Sequence, residues 1–311
     1  VLQLKNRILV YTVLKRTATN RLLIILHAIT LPLFARGQAH SEWVDQDVLT
    51  AVYTNDWQAA HAMMDSLNPR HTDRWQHDFP ALLLVWWEVL LETSDQEDVS
   101  KFNALTASLS KDVSSEASSL EKLFKQTLLH AYHARFALIQ GHYINGVGEL
   151  NKCIDLIETG FEHEEEHEAF LLTSGLYHYF VAYAYDEYPL LRPYLFFLPD
   201  GDRAKGLAYL KRCAESSDLY LQTEARYFLM RIYIDLEAEH HLAKYYCDQL
   251  LKRFPSNLLF QEYDLKLAYA TQDLVAAKRI RSSYWDTVDG NSYWSQEERE
   301  RLQQRINNIN P

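Results

Sequence analysis

Glycine and proline are scarce, nine and eight in 311 residues, where about 12% combined is usual. Sandwiches and barrels need frequent turns, and dinucleotide-binding folds need glycine-rich phosphate loops, so both are disfavoured. Basic charge is also in short supply: 31 Lys and Arg face 42 Asp and Glu, for a net of −11. Six of the cations (Lys5, Arg7, Lys15, Arg16, Arg21, Arg36) lie in the first 39 residues, which hold no acid. The remainder is therefore more negative still. It has no basic stripe, and such a body repels phosphate backbones, so nucleic acid is excluded as a partner. The three cysteines (Cys153, Cys213, Cys247) form no Cys-x-x-Cys pair and no disulfide framework. Each falls within an apolar helical stripe and reads as an inert buried thiol. P-loop, Gly-x-Ser-x-Gly and Gly-x-Gly-x-x-Gly motifs are missing, so no catalytic activity and no cofactor are expected.

What is present begins with a 14-residue, mostly apolar run from Leu22 to Ala35, preceded by Lys15, Arg16 and Arg21 and followed by the small residues Gly37 and Ala39. Basic region, short apolar region and small-residue exit describe a secretory signal peptide over residues 1–39, with an uncleaved N-terminal anchor as the alternative. The run is short for a membrane span, which needs about 20 apolar residues. With no cysteine after the run, a lipoprotein route is closed. The reading is of an exported protein, with no membrane insertion after cleavage, whose residues 40–311 form the folded part.

From Asp45 onward the apolar spacing is three and four, the period of helices, and no segment alternates as a strand would. Asp202 is placed to cap a helix bearing Leu207 and Leu210, and Ser295 with Glu298 forms a capping box ahead of Leu302 and Ile306. Ala81 to Leu91 is apolar nearly all round and predicts an enclosed helix. A short polar turn followed by a small residue recurs: Asn55-Asp56-Trp57-x-x-Ala60, Gly141-His142-Tyr143-x-x-Gly146, Gly201-Asp202-Arg203-x-x-Gly206, Ala238-Glu239-His240-x-x-Ala243 and Gln272-Asp273-Leu274-x-x-Ala277. Four residues after the small one stands a packing residue (Met64, Leu150, Leu210 or Cys247), a rule that Arg281 breaks. Helix backbones approach closely only over small side chains, so the pattern predicts repeated helix pairs.

This pattern resembles the tetratricopeptide repeat, over Asp45 to Tyr284 and most strongly over Leu219 to Asn257. The stretch Gly175-Leu176-Tyr177-x-Tyr179, then Pro189, then Gly201-Asp202-Arg203-x-x-Gly206-Leu207, is similar to a bacterial exported family of such repeats. More distantly it is similar to the eukaryotic inclusion-body clearance proteins. The resemblance implies an all-α, right-handed solenoid of degenerate helix hairpins that binds a protein or peptide in its concave groove. It also implies a periplasmic or envelope-associated scaffold.

Three constellations are candidates for function. His163-Glu164-Glu165-Glu166-His167 matches the pattern of zinc peptidases, in which histidines four apart on a helix share a face and the intervening Glu polarises water; Glu187 is the one conceivable third ligand. The acidic flanks favour a solvated helix start instead, leaving a zinc hydrolase as the rival function. Tyr185 to Gly201 carries three prolines and the apolar block Leu195-Phe196-Phe197-Leu198. It either folds back to cap the core or projects as a binding lip. Tyr177, Tyr179, Tyr183 and Tyr227, with Arg203, Arg226 and Arg231, are candidates to line a groove. Phe196 and Phe197 complete the candidate binding set, and a glycan is its alternative ligand.

Overall fold

The computed structural model describes residues 44–66 and 74–309. The signal-peptide reading of residues 1–39 lies outside them. Among the described residues every regular element is helical, and no helix is long and apolar enough to cross a membrane. The helices follow one another in pairs: α1 (Gln46–Tyr53) and α2 (Trp57–Ser66); α3 (Arg74–Leu90) and α4 (Gln96–Ser115); α5 (Leu120–Ile139) and α6 (Tyr143–Gly160). Then come α7 (Glu168–Glu187), the single turn α8 (Arg192–Leu195) and α9 (Arg203–Cys213). The last are α10 (Leu219–Asp235), α11 (His240–Arg253), α12 (Leu258–Ala270), α13 (Leu274–Gly290) and α14 (Gln296–Asn307).

The recurring sequence element is the elbow of these pairs. Asn55, Gly141, Ala238 and Gln272 each end a first helix with positive φ, between 55° and 75°. That left-handed residue lets the chain reverse, and only Gly141 adopts it without steric cost. The small residue that follows is buried on the second helix in every instance: Ala60, Gly146, Gly206, Ala243 and Ala277. Met64, Leu150, Leu210 and Cys247 are buried one turn later. Arg281, the exception, instead donates to the Tyr269 hydroxyl and the Ile309 carbonyl. The caps form as expected, with Asp202 accepting from the Lys205 amide at 2.9 Å and Ser295 and Glu298 bonding reciprocally. All three cysteines are buried with thiol pKa values pushed up by burial, which keeps them protonated and inert.

The described residues divide into two compact units. One is Asp112–Leu229; the other joins described residues 44–111 to 230–309. In the first, α5 packs on α6, α6 on α7, and α7 on α9. In the second, helices distant in the chain meet. Asn257 donates to the Tyr53 carbonyl at 2.6 Å, and the Leu258 amide donates to Asn55 Oδ1 at 2.8 Å. Trp57 lies edge-on to Trp294, with ring centres 5.5 Å apart. Helix α3 is enclosed as its composition predicts, Trp87 standing edge-on to both Tyr53 and Phe260 at 5.7 Å.

This second unit also buries an acid to which, among the described residues, no cation is bonded. Glu88 on α3 accepts from the Tyr293 hydroxyl at 3.1 Å. Burial, reinforced by Asp98, pushes its pKa up to about 8, and the Tyr293 hydrogen bond and Lys101 offset this only in part. The unfolded chain ionises near the ordinary value while the folded unit stays protonated, so stability is lost as pH climbs from there through about 8. Glu88→Gln should therefore flatten the pH dependence of melting. It should be more stable than the wild type at pH 8, by on the order of a few kcal/mol, and lose that advantage toward pH 4.5.

Candidate functional site

The first unit holds most of the candidate residues, and its geometry is set where α7 crosses α9. A Cβ on Gly206 would lie 2.5 Å from the Tyr179 amide nitrogen and 2.6 Å from the Gly175 carbonyl oxygen. A Cβ on Gly201 would lie 2.3 Å from the Ala182 nitrogen. The two helices therefore touch backbone to backbone. The 188–202 connection must leave α7 and return within that contact. It does so through a 3-10 turn (Pro189–Leu191) and α8, and the prolines prevent a regular continuation.

This connection is fastened at several points. The Tyr177 hydroxyl donates to the Pro199 carbonyl at 2.9 Å, and the Tyr194 hydroxyl donates to Asn151 Oδ1 on α6. Arg192 donates from Nε to the Tyr185 carbonyl at 2.8 Å, with its guanidinium 4.9 Å above that ring. Leu195 turns inward and is buried. Its neighbours Phe196 and Phe197 are each 79% exposed, with rings edge to face at 5.6 Å, and Leu190, six residues before Phe196, is exposed as well. The segment thus caps with one apolar residue and projects two others on an anchored stem.

The tyrosine set behaves otherwise. Tyr177 and Tyr179 are fully buried, and Tyr183 and Tyr227 are 4% exposed, so these rings are core and present no groove surface. For Tyr179 and Tyr183 the reason is the glycine crossing, which draws α9 onto the face of α7 that carries Tyr179; Tyr177 is covered by Phe161, edge-on at 5.1 Å. Tyr179 and Tyr183 stack at 6.0 Å, with the Arg203 guanidinium 5.7 and 5.1 Å from their ring centres, and Asp186 lies 4.0 Å from Arg203. Arg203 is therefore a partly exposed lid on buried rings. Tyr227 lies edge-on to Phe228, and Arg226 donates to the Ala214 carbonyl at 3.0 Å. Arg231, in the other unit, pairs with Asp235 at 2.8 Å and covers Tyr263.

The His163–His167 run does not form one helix. His163 ends a 3-10 turn, Phe161–His163, and His167 is the extended N-cap of α7. The shared helical face that a zinc peptidase needs is absent, and Glu187 lies at the far end of α7, about 30 Å along its axis. Among the described residues no group of three or more His, Cys, Asp and Glu side chains is placed to hold a metal ion.

Nor is the run uniformly solvated. Glu164 is 7% exposed and accepts from the Tyr209 hydroxyl at 2.7 Å; Lys205 Nζ lies 3.1 Å away and His178 Nε2 3.6 Å away. Burial alone would raise its pKa, but the His178, Tyr209, Lys205 and Ser174 side chains around it hold it down to about 2. Phe161 stacks on His178 at 5.2 Å. This network ties the α6–α7 turn to α9, and sequence reading missed it. The one local signal was that Lys205 and Tyr209, four apart, share a face of α9.

The distinctive exposed feature of this unit is the Phe196–Phe197 tip. In comparison with known proteins, no family model, no curated protein and no solved structure matches this chain.

Proposed function

We propose that the chain is an interaction module rather than an enzyme, and that the 188–201 segment is the lip that engages a protein or peptide. The observation that carries this is the exposure of Phe196 and Phe197 on a stem held by Tyr177, Tyr194 and Arg192. Two neighbouring exposed phenylalanines are costly in water, and aromatic anchors on a pre-ordered segment lose little entropy on binding. Repeated elbows with left-handed turn residues and buried small residues support tetratricopeptide-like helix pairs; a right-handed array of them is what the resemblance implies. The basic and apolar character of residues 1–39 supports export, in a periplasmic or envelope-associated setting.

The test is affinity capture from native envelope with the wild type and a Phe196→Ser/Phe197→Ser double variant. Both side chains are exposed, so the variant should melt within about 1 °C of the wild type. A dominant co-purifying species should be lost with the variant, by at least about tenfold. Equal recovery on both proteins would overturn the lip.

A further inference from the structure

Resting on that reading, we propose that the Phe196–Phe197 tip and the carboxylates of Asp155, Glu158 and Asp200 together receive a peptide that combines apolar side chains with positive charge. The apolar half of the argument is the tip itself. Two phenylalanines and Leu190 expose at most several hundred Å². That is too little for a broad domain interface and suits a short segment.

The charged half comes from what surrounds the stem. Asn151, Asp155 and Glu158 follow one another along α6 at spacings of four and three, so they share one face. Tyr194 on the stem is bonded to the first of them, which places the other two beside the segment. The field of Asp155 reaches the Tyr194 hydroxyl, and those of Glu158 and Asp200 reach the Tyr177 hydroxyl. The three carboxylates therefore lie around the two hydroxyls, of Tyr194 and Tyr177, that anchor the segment bearing the tip.

Among the described residues none of the three has an ion-pair partner. Partial burial and the proximity of Asp155 together push the pKa of Glu158 upward, as expected of like charges held close without a cation. Of the nearby cations, Lys152 is paired with Glu149, while Arg192 keeps its charge and is held at the Tyr185 carbonyl and ring on α7. A peptide lysine or arginine would neutralise this cluster, and an anionic lipid headgroup would be repelled by it.

The experiment is fluorescence anisotropy on the full chain with two synthetic probes: a leucine-rich peptide flanked by lysines, and the same peptide flanked by glutamates. The lysine peptide should bind about tenfold or more tightly than the other, with a gap that narrows as salt rises. Asp155→Asn/Glu158→Gln should narrow the gap at low salt, and Phe196→Ser/Phe197→Ser should abolish binding of both. Equal binding of the two probes that still depends on the phenylalanines would overturn the charge preference and leave the lip intact. Binding indifferent to the phenylalanines would overturn both. Binding to phosphatidylcholine vesicles that depends on the phenylalanines, with neither peptide bound, would replace the peptide with a lipid surface.

Discussion

Gly206→Ala should lower the melting temperature by about 10 °C, corresponding to about 3 kcal/mol. The added methyl would sit within 2.6 Å of backbone atoms of both Tyr179 and Gly175, and neither can swing aside as a side chain would. Relief requires α7 and α9 to separate. That would loosen the stacked Tyr179 and Tyr183 and displace Lys205 and Tyr209 from the buried Glu164. Gly148→Ala is the matching control. Its Cβ meets nothing within 4 Å on an exposed turn of α6, so helix propensity alone operates and the variant should gain up to about 1 kcal/mol. Thermal melts of the two variants check the pair. A Gly206→Ala protein as stable as the wild type would mean that the helices do not cross at this distance.

Arg305→Met should destabilise the second unit by about 3–5 kcal/mol. Glu262 on α12 is 1% exposed, and its carboxylate takes Arg305 Nε at 2.6 Å and the Tyr284 hydroxyl at 3.2 Å. Arg305 also reaches Glu92 at 2.8 Å, so one guanidinium joins α14 to α12 and to the end of α3. Burial would lower the pKa of Arg305, but Glu262 and Glu92 raise it, which keeps the guanidinium charged. Removing the cation strands a buried charge. Removing both charges does not, so a Glu262→Met/Arg305→Met double variant should recover most of the loss. Urea melts of the single and double variants give the coupling. Additive losses would show that the two side chains do not act as a pair.

The helices, their caps and their elbows were legible because each is a local matter. Asp202, Ser295 and Glu298 act within one turn of themselves, and the small residues from Ala60 to Ala277 mark a steric need that recurs at fixed spacing. What spacing cannot convey is which neighbour arrives. Glu164 sits among acids and reads as solvated, yet Lys205 and Tyr209, more than forty positions downstream, make its burial tolerable. Tyr177, Tyr179 and Tyr183 suit a binding groove by chemistry, but a glycine contact brings α9 onto Tyr179, Phe161 stands edge-on to Tyr177, and Arg203 lies over Tyr183. The meeting of Asn55 with Leu258 leaves no periodic trace, since it joins segments 203 residues apart. Within Leu195 to Leu198, composition alone did not separate the side chain that turns in from the two that turn out.

The central claim is that Phe196 and Phe197 meet a partner in the native setting. The most direct measurement places a photo-crosslinking amino acid at position 196 and, as a control, at Ile144, an equally exposed position on α6. Irradiation of intact cells should give one discrete adduct from position 196 and none from position 144. Identical adduct patterns from the two positions, or no adduct from 196 while the protein is folded and abundant, would contradict the account.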